Sequence, residues 1–412
     1  MTIYIAVLGY GTVGSGVIDV INMNAQEIFR NTGLNLKVKY ILDFKKFDED
    51  SIQKLITHNY EDILNDNDVS IVVEVMGGTT AAYNFVKQAL QKGKSAVTSN
   101  KALMAAHGAE LLKIAKDNHV NLLFEASVGG GIPIIRALQT SMSADRVYEI
   151  KGILNGTTNY ILTKMSKESA SFEEALSHAQ QKGYAEKDPT DDVESFDASR
   201  KIAILLSMAT SKQVEYTGVY TEGITKITKE DTQYAAKISA SIKLLAEAKI
   251  TTESIFASVK PVLVSNEHPL SNVNGVYNAV YVKGNAVGEL MFYGKGAGKL
   301  TTASAVVADI IDAAKHLDKN IGYFWGSEKQ SLADYTNEAT RKLLRVAYTN
   351  NEKAKEICKN IFQVDTFITL ESPSDEFAFL TNLEAQMEID KKLQELITHE
   401  TIKEIRNVIT LD

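Results

Sequence analysis

The chain has 412 residues, and 44 Lys and Arg against 52 Asp and Glu give a formal net charge of −8. At about 150 residues per domain, this length predicts two or three domains. A single cysteine, Cys358, excludes an intramolecular disulfide and a cysteine-cluster zinc site, and the acidic balance argues against binding to nucleic acid or anionic membranes.

Targeting and membrane signals are absent from the sequence pattern. No apolar run approaches the roughly 20 residues needed to cross a bilayer. The first residues, MTIYIAVLGYG, lack the basic start and the cleavage site of a signal peptide. We therefore expect a soluble cytoplasmic protein that binds neither nucleic acid nor a membrane.

The N-terminal segment predicts a dinucleotide-binding unit. Ile3–Leu8 is an apolar run typical of a buried parallel strand. It leads into GYGTVG at 9–14, and apolar residues then recur at helical spacing from Val13 to about Arg30. A second strand, Leu36–Leu42, ends at Asp43. Strand, glycine turn, helix, strand and acid in this order favour a pyrophosphate on the helix N-terminus over a turn without a ligand.

The residues after the second strand determine whether NAD or NADP is the preferred cofactor. Asp43 can accept a hydrogen bond from the ribose 2′-hydroxyl and would repel a 2′-phosphate. Lys45 and Lys46 follow, and they could instead hold a 2′-phosphate or lie in a solvated loop. The carboxylate favours NAD.

Strands and helices continue to alternate after this unit. A helix is predicted over about Ala81–Lys92, and the strands are Val69–Val75, Ser95–Thr98 and Asn121–Phe124. This alternation predicts an α/β fold with a Rossmann-type, doubly wound parallel sheet. Ligands of such sheets bind beyond the carboxyl ends of the strands, so Thr98–Lys101 and Glu125–Ile132 are candidate site loops.

The middle of the chain carries two polar segments. A predicted strand, Val147–Leu154, is followed by a polar turn at 155–160 and a predicted helix, Tyr160–Lys167. The turn is either a plain helix cap or a set of N–H groups that holds a carboxylate.

An acid-rich segment at 183–192 precedes a predicted helix, Val193–Ser211. Asp197 and Lys201 are four residues apart on this helix and share one face. The pattern alone favours an exposed acidic loop with a surface ion pair. The alternative is a buried acid cluster that would suit an ammonium group.

The last part of the chain predicts further sheets. Residues 238–292 are β-rich and predict a mostly antiparallel sheet, followed by the glycine turn Gly294–Gly298 and a helix over about Thr302–His316. The C-terminal pattern then reads strand Leu343–Thr349, helix Glu352–Ile361, strands Val364–Glu371 and Phe377–Leu383, helix Met387–His399, strand Ile402–Thr410. This is the βαββαβ order of a ferredoxin-like module.

Seven sequence blocks together resemble homoserine dehydrogenase along the whole chain. They are GYGTVGSGV (9–17), VEVMGG (73–78), TSNKALMA (98–105), FEASVGGGIPI (124–134), GILNGTTNYIL (152–162), GYAEKDPTDDVESFDASRK (183–201) and FYGKGAG (292–298). The tail looks like an ACT-type domain. The resemblance implies a dinucleotide-binding domain at 1–135, completed by 300–320, a catalytic and dimerisation domain at 136–300, and an ACT-like regulatory domain at 340–412.

The chemistry that the resemblance implies is the reversible, NAD(P)-dependent reduction of L-aspartate 4-semialdehyde to L-homoserine, in threonine, methionine and isoleucine biosynthesis. Lys201 is implied as the proton donor and Lys101 as a second catalytic lysine. The residues implied for substrate are Glu186, Asp197, Asp192, Gly156 and Thr157, and this overturns the surface ion pair favoured above. Those implied for the cofactor are Gly9, Gly11, Thr12, Val13, Gly14, Asp43, Lys45, Thr98, Asn100, Lys101, Gly183 and Gly298.

Further expectations follow from the resemblance. A structural sodium ion is implied at Glu125 with the carbonyls of Val128, Gly130 and Ile132. A homodimer or higher assembly is implied, as is threonine or another amino-acid effector at the tail. The sequence departs from many family members at Phe44, where an arginine would grip a 2′-phosphate, and this supports NAD.

Two other functions remain as alternatives. A semialdehyde dehydrogenase needs a thiol nucleophile, but Cys358 lies in the predicted tail helix. A dinucleotide-sensing regulator with an ACT effector module would need the glycine loop but no proton donor. The residues Lys101, Glu186, Asp197 and Lys201 together argue against that regulator.

Overall fold

The structure is a computed structural model that describes residues 1–47, 49–317, 319–322, 325–373 and 375–412. The strands are β1 (Thr2–Leu8), β2 (Asn35–Leu42), β3 (Ile56–Thr57), β4 (Val69–Glu74), β5 (Ser95–Thr98), β6 (Leu122–Leu123), β7 (Val147–Ile153), β8 (Tyr220–Thr221), β9 (Ala240–Ile250), β10 (Ile255–Ser265), β11 (Tyr277–Gly284), β12 (Gly288–Lys295), β13 (Ala339–Tyr348), β14 (Glu376–Leu380), β15 (Glu384–Ala385) and β16 (Ile402–Leu411). The helices are α1 (Thr12–Met23), α2 (Ala25–Thr32), α3 (Asp50–Gln53), α4 (Tyr60–Leu64), α5 (Thr80–Gln91), α6 (Lys101–Asp117), α7 (Ile134–Arg136), α8 (Gly156–Glu168), α9 (Phe172–Gln181), α10 (Thr190–Val193), α11 (Phe196–Thr210), α12 (Lys229–Lys237), α13 (Lys299–Lys315), α14 (Asn351–Phe362) and α15 (Gln386–Leu396). Among these residues, no helix is both long enough and apolar enough to cross a membrane.

The chain forms two compact units. The first comprises Met1–Val147, Arg200–Gly218 and Val282–Ser331, and the second comprises Tyr148–Ser199, Val219–Tyr281 and Leu332–Asp412. The three functional domains expected from the resemblance remain a prediction.

The first unit contains the parallel sheet that the alternation predicts. Its strand order is β3-β2-β1-β4-β5-β6, and every pairing is parallel. The apolar side chains of β1 are buried because helices cover both faces of the sheet. On one face, α1 and α13 contribute Val17, Ile21, Val306 and Ile310 to the core. The prediction of a doubly wound parallel sheet is confirmed.

The predicted helix from Val13 to Arg30 is two helices, and the single-helix prediction is wrong. The chain leaves helical geometry at Asn24, with φ −108° and ψ 17°, and α2 then begins at Ala25. Asparagine favours such local turns because its side chain competes for backbone hydrogen bonds. The apolar periodicity continues across the break, so hydrophobic spacing alone does not reveal it.

The second unit contains a mixed sheet. Its strand order is β11-β7-β9-β10-β16-β13-β14. The long pair β9 and β10 is antiparallel over eleven residue pairs, from Ile255 opposite Ile250 to Ser265 opposite Ala240. The last strand, β16, pairs in parallel with β10 at Val262–Thr410 and Leu263–Leu411. The tail therefore continues the sheet formed by the middle of the chain.

One predicted strand of the tail is wrong. Residues 364–371 form only an isolated antiparallel bridge between Ile368 and Ala378, with hydrogen bonds of 2.7 and 2.8 Å. Phe367 is held instead by side-chain packing, with its ring 4.9 Å from Phe377 and 5.8 Å from Phe379. Apolar β-prone residues in this segment fill the tail core without forming a ladder, so composition and periodicity overstate the strand.

A buried ionic cluster ties the tail to the rest of the second unit. The guanidinium of Arg345 on β13 donates to Asp231 on α12 at 2.7 Å and to Glu376 on β14 at 2.9 and 3.1 Å. Asn407 on β16 donates to the second oxygen of Asp231 at 2.7 Å. Separating the tail from α12 would therefore deprive the buried Asp231 of both Arg345 and Asn407.

Candidate active site

In the first unit, the parallel register aligns the ends of four strands. Leu8 lies opposite both Leu42 and Glu74, and Glu74 lies opposite Thr98. The loops that follow β1, β2, β4 and β5 therefore leave the sheet at one edge. This edge is where dinucleotides bind in such sheets.

The glycine loop at this edge is shaped by backbone contacts. Gly9 has a left-handed φ of +98°, and its N–H donates to the carbonyl of Leu42 at 2.9 Å. A Cβ on Gly14 would lie 2.0 Å from the carbonyl oxygen of Gly9, so only glycine permits this approach of helix and strand. A Cβ on Gly11 would meet no described atom within 4 Å. Thr12 and Val13 begin α1 directly after this open position.

Asp43 is held at the end of β2 by two backbone donors. Its carboxylate oxygens accept hydrogen bonds from the N–H of Tyr10 at 2.8 Å and of Lys45 at 2.9 Å. Each oxygen retains a second lone pair, so the side chain can still accept from a ligand hydroxyl. Phe44 is 81% exposed, and the side chains of Lys45 and Lys46 are also exposed.

Glu74, at the end of β4, organises the two neighbouring loops. It is buried and accepts hydrogen bonds from the N–H of Met76 at 2.9 Å and from the hydroxyl of Thr98 at 2.6 Å. Burial raises the pKa of Glu74, although these donors oppose the shift. The same threonine hydroxyl accepts the N–H of Asn100, which caps α6 through Leu103. Lys101 is the first residue of that helix.

Helix α13 packs closely on α1 beside the glycine loop. A Cβ on Gly16 would lie 2.6 Å from the carbonyl oxygen of Lys299, the first residue of α13. Gly298 precedes it with φ +139°, a conformation that favours glycine. The structure thus brings Gly298 to the helix that follows the glycine loop.

A second buried carboxylate lies in the 125–132 loop. The oxygens of Glu125 accept the N–H groups of Ile135 at 2.8 Å and Arg136 at 2.9 Å. Asp309 is fully buried, accepts the N–H of Glu125 at 2.8 Å, and pairs with Arg136 at 2.7 Å. Burial, followed by repulsion from Glu125, raises the pKa of Asp309 to about 8. Burial also raises the pKa of Glu125.

The backbone around Glu125 turns sharply through its glycines. Gly129 and Gly130 both have left-handed φ values, +70° and +57°. A Cβ on Gly130 would lie 2.4 Å from the carbonyl oxygen of Gly296. The carbonyl of Ile132 accepts the N–H of Ile134 at 2.9 Å, and Val128 is buried beside this turn. Within the described residues, no group of three His, Cys, Asp or Glu side chains forms a metal cluster.

In the second unit, the side-chain amide of one asparagine donates hydrogen bonds to two carboxylates. Asn155 follows β7, and its Nδ2 donates to Asp192 at 2.7 Å and to Asp197 at 2.9 Å. Its Oδ1 accepts the N–H and the hydroxyl of Thr158 at 2.9 and 3.0 Å, which caps α8. Asp197 is only 3% exposed, so the surface ion pair that pattern alone favours is wrong for this residue.

A strained corner brings the two acids to Asn155. The predicted helix Val193–Ser211 is interrupted, because α10 ends at Val193 and α11 begins at Phe196. Ser195 between them has a left-handed φ of +73°, is fully buried, and donates its hydroxyl to the carbonyl of Glu222 at 2.9 Å. An L-residue pays about 1–2 kcal/mol for this conformation, so its surroundings must hold it.

The remaining substrate candidates line the start of α8, which begins at Gly156, earlier than predicted. A Cβ on Gly156 would lie 3.0 Å from the carbonyl oxygen of Val276. The hydroxyl of Thr157 donates to the carbonyl of Tyr184 at 2.6 Å and so fixes the 183–192 loop near α8. Glu186 is exposed on that loop, and Gly183 begins it with φ +71°.

Lys201 is partly buried on α11, four residues after Asp197. This spacing places the two side chains on one face of the helix. The helix begins in the second unit and continues in the first.

Comparisons with known proteins identify the family. A family model described as "Homoserine dehydrogenase, NAD binding domain" matches residues 9–125, and one described as "Homoserine dehydrogenase" matches residues 133–311. The homoserine dehydrogenase of Bacillus subtilis (strain 168) is 44% identical over 318 residues, which cover 76% of this chain and 73% of that protein. A crystal structure of a homoserine dehydrogenase from Thiobacillus denitrificans has a TM-score of 0.92 and 33% identity, covering 100% of this chain and 98% of that one. The S. aureus homoserine dehydrogenase structure at pH 8.5 has a TM-score of 0.81 and 34% identity, covering 100% of this chain and 99% of that one.

The chain belongs to the homoserine dehydrogenase family. It is an NAD(P)-dependent oxidoreductase, and the resemblance predicted from the seven sequence blocks is confirmed. The second of the two matched ranges ends at residue 311, so neither range reaches the tail.

The sequence pattern did not reveal several residues that organise the candidate site. Asn155 is recognisable as a helix cap, but its bonds to acids 37 and 42 residues away depend on the fold. Glu74 carries a local signal, since an acid ends an otherwise apolar strand. Ser195 and Asp309 carry none, because a left-handed serine and a buried aspartate look like ordinary helix residues in a sequence.

Replacing Asn155 by aspartate tests the amide that joins Asp192 and Asp197. The variant keeps the helix-capping oxygen but removes two donors and adds a third carboxylate. We expect a loss of about 2–4 kcal/mol of unfolding free energy at neutral pH. Repulsion raises the pKa values of the clustered carboxyls in the folded variant, so the loss should shrink as the pH falls towards about 5.

The matched control is Asn350→Asp at the start of α14, where the side chain accepts only the N–H of Lys353 at 3.1 Å. Its stability should stay within about 0.5 kcal/mol of wild type. Denaturant unfolding at both pH values measures each variant. An Asn155→Asp protein as stable as the control at neutral pH would contradict the assignment.

Proposed function

We propose that the chain interconverts L-homoserine and L-aspartate 4-semialdehyde, and that Asp192 and Asp197 receive the ammonium group of the substrate. The observation that supports this most directly is the convergence of both acids on Asn155. Two carboxylates that a neutral amide holds side by side form a site whose chemistry suits a cation. L-Homoserine carries such an ammonium group. Glu186, exposed on the neighbouring loop, would add a third acid when substrate binds.

Lys201 is the proposed proton carrier. In the reductive direction its ammonium gives a proton to the aldehyde oxygen, and in the oxidative direction its amine takes the hydroxyl proton. NAD(P), when bound, supplies or accepts the hydride. The helix spacing that places Lys201 on the face of Asp197 would set the reacting oxygen at a fixed distance from the substrate ammonium. Lys101, at the start of α6, is proposed as the second catalytic lysine.

The residues at the edge of the parallel sheet fit a dinucleotide. Gly11 leaves space where a Cβ would otherwise stand, and α1 presents its N-terminus directly afterwards. We propose NAD as the preferred cofactor, because Asp43 is held in place by two backbone donors and keeps free lone pairs for a 2′-hydroxyl. Thr98, Asn100 and Gly298 would complete the site within the first unit, and a cofactor role for Gly183 stays a prediction from the resemblance.

A sodium ion is proposed at Glu125 with the carbonyls of Val128, Gly130 and Ile132. Its support is the presence of two buried carboxylates here, since Asp309 pairs with the guanidinium of Arg136 and Glu125 accepts the backbone N–H of the same residue. The guanidinium of Arg136 also forms an ion pair with the carboxylate of Asp312, at 3.4 Å. A monovalent cation with oxygen ligands would offset the remaining negative charge. Its role would be structural.

The tail is proposed to be an ACT-type effector module. Strand β13 lies between β16 and β14 and is antiparallel to both, and the bridge at Ile368 lies on the far side of β14. This is the order of a split βαβ module. Threonine or another amino acid would be its effector, which fits the expected pathway to threonine, methionine and isoleucine. The functional domains 1–135 with 300–320, 136–300 and 340–412 are proposed with it.

A homodimer is proposed because β12 leaves apolar side chains uncovered. Met291 is 41% exposed and Tyr293 is 54% exposed on alternate positions of this strand. A second copy would cover them. A cytoplasmic location remains a prediction from the sequence.

The first test measures absorbance at the nicotinamide band with L-aspartate 4-semialdehyde. We expect oxidation of NADH with kcat/KM at least about ten-fold above that with NADPH, equivalent to roughly 1.4 kcal/mol. Asp43→Asn should narrow this ratio of kcat/KM values, whereas Lys37→Ala, at an exposed position of β2, serves as the control and should leave the ratio unchanged. Faster oxidation of NADPH would assign the choice to Lys45 and Lys46. No oxidation of either cofactor, with binding intact, would favour a dinucleotide-sensing regulator.

The second test replaces Lys201 by alanine. We expect kcat to fall by about 10²–10⁴-fold because a positioned proton carrier is lost, while NADH binding measured by fluorescence is retained. Lys113→Ala, which removes an exposed lysine of α6, is the control and should keep wild-type kcat. Wild-type turnover in Lys201→Ala would remove Lys201 from this role.

The third test measures stability against pH with sodium chloride or choline chloride at equal ionic strength. Without sodium, the raised pKa of Asp309 makes the unfolded chain release its proton first, so stability should fall from about pH 4 to about pH 8. Sodium binds the ionised carboxylates, so its gain in Tm should be larger at about pH 9 than at about pH 6. Equal Tm values in the two salts at both pH values would exclude the proposed ion.

A further inference from the structure

The edge of the parallel sheet carries a buried acid to which the proposed cofactor site assigns no role. Glu74 is the last residue of β4, and its side chain is fully buried. In the parallel register it lies opposite Leu8 of β1 and Thr98 of β5. It therefore stands between the glycine loop and the loop that leads to Lys101. A buried carboxylate is costly unless donors or a cation offset its charge.

The hydrogen bonds of Glu74 hold its carboxyl as an acceptor. One oxygen accepts the N–H groups of Met76 at 2.9 Å and Gly77 at 3.3 Å, and the other accepts the hydroxyl of Thr98 at 2.6 Å. The Thr98 oxygen also accepts the N–H of Asn100 at 3.0 Å, which leaves its own proton for Glu74. Three donors converge on the carboxyl, and this pattern favours its ionised form.

The three donors around Glu74 are neutral groups, so they orient its charge without cancelling it. Among the residues that the structure describes, Glu74 forms no ion pair. Burial raises the pKa of Glu74, and the hydrogen bonds oppose this shift. Asp309 in the same unit is equally buried, but it pairs with the guanidinium of Arg136 at 2.7 Å. Glu74 thus presents a negative charge that a bound cationic group would offset.

The loop beside Glu74 presents bare backbone at the sheet edge. Gly77 and Gly78 are exposed and have left-handed φ values, +81° and +71°, which favour glycine. A Cβ at either position would meet no described atom within 4 Å, so the space above both residues is open. The amide nitrogen of Asn100 donates to the carbonyl of Gly78 at 2.6 Å and ties this backbone to the loop after β5. A flat ring could therefore approach the backbone that Glu74 holds.

The topology indicates which part of a dinucleotide would reach this loop. In such sheets the adenosine ribose lies at the acid after β2, here Asp43, and the pyrophosphate lies at the glycine loop after β1. The cofactor then extends across β1 to the other side of the strand order, where β4 and β5 lie. Its nicotinamide half would therefore lie over the loops that Glu74 joins. The nicotinamide ring is positively charged in NAD(P)⁺ and neutral in NAD(P)H.

We propose that the charge of Glu74 stabilises bound NAD(P)⁺ relative to bound NAD(P)H. The fixed carboxylate lies in a dry part of the sheet edge, where a charge acts more strongly than it does in water. The inference needs a bound dinucleotide. It depends neither on the proposed roles of Asp192, Asp197 and Lys201 nor on the choice between NAD and NADP.

This role of Glu74 bears on the direction of the reaction. Reduction of an aldehyde takes a hydride from the cofactor and leaves the nicotinamide ring positively charged. Glu74 exchanges neither a proton nor an electron in this step, because it acts only through its fixed charge. It would therefore favour the reductive direction on the enzyme, towards the alcohol and the oxidised cofactor.

The test compares binding of the two oxidation states to the full chain without substrate. Isothermal titration gives the dissociation constants of NAD⁺ and NADH, and of NADP⁺ and NADPH if the chain prefers that pair. Glu74→Gln removes the charge and keeps the size of the side chain. It should weaken NAD⁺ binding relative to NADH binding by at least about five-fold compared with wild type. A purely structural role would weaken both equally, so an unchanged ratio would overturn the proposal.

Two further variants separate charge from position. Glu74→Asp keeps the charge but shortens the side chain, so it should weaken binding of both forms while their ratio stays within about two-fold of wild type. The matched control is Asp66→Asn, which neutralises an acid before the other end of β4, on the order of 20 Å away. Asp66 accepts the hydroxyl of Tyr40 at 2.9 Å and pairs with Lys39 at 2.7 Å. Its ratio should also stay within about two-fold of wild type.

A second neutral variant covers the case in which Glu74→Gln does not fold. Glu74→Met is similar in size and carries no charge, so it should show the same change in the ratio of the two dissociation constants. Thermal unfolding followed by circular dichroism shows which variants are folded. Failure of the wild type to bind either oxidation state would overturn this proposal together with the dinucleotide site. Absence of homoserine oxidation with binding intact would instead contradict the proposed function, while the titrations still decide the role of Glu74.

Discussion

A carboxylate that leaves water must find hydrogen-bond donors, and this requirement shapes every functional region of the chain. Glu74 takes its donors from Thr98 and from the backbone after β4, and so aligns two loops at the sheet edge. Glu125 takes two N–H groups at the start of α7. Asp197 takes the amide of Asn155. Each acid thereby fixes the conformation of a backbone segment. Apolar packing alone would allow that segment several conformations.

The buried acids differ in how completely their charge is balanced, and this difference separates structural from binding regions. Asp231 and Glu376 share the guanidinium of Arg345, and the guanidinium of Arg406 lies 3.9 Å from Glu376, so two cations balance these two carboxylates. Asp192 and Asp197 both accept from a neutral amide, that of Asn155. A neutral donor orients carboxylates without cancelling their charge, whereas a guanidinium does both.

Local pattern was sufficient to predict the parallel sheet, because buried strands and glycine turns are encoded over a few residues. It was also sufficient to predict the positions of the glycine loop and of Asp43, because these come directly after the ends of β1 and β2. It failed where distant segments decide the outcome. The break at Ser195 depends on the carbonyl of Glu222, and the burial of Asp197 depends on Asn155. Residues 364–371 have the composition of a strand, yet Phe367 packs against Phe377 while the segment forms only an isolated bridge. The roles proposed for Lys201 and Lys101 rest on the family resemblance and not on spacing.

The attachment of the tail determines how a signal could travel from it. An independently folded module on a flexible linker would act by docking or release. Here β16 pairs with β10 inside one sheet, and Arg345 crosses from β13 to α12 through buried ion pairs. Release would break the pairing of β16 with β10 and would separate Asp231 from Arg345, whereas Glu376 would keep Arg345 because both lie in the tail. A small shift within the packed sheet keeps these contacts and is therefore less costly than release.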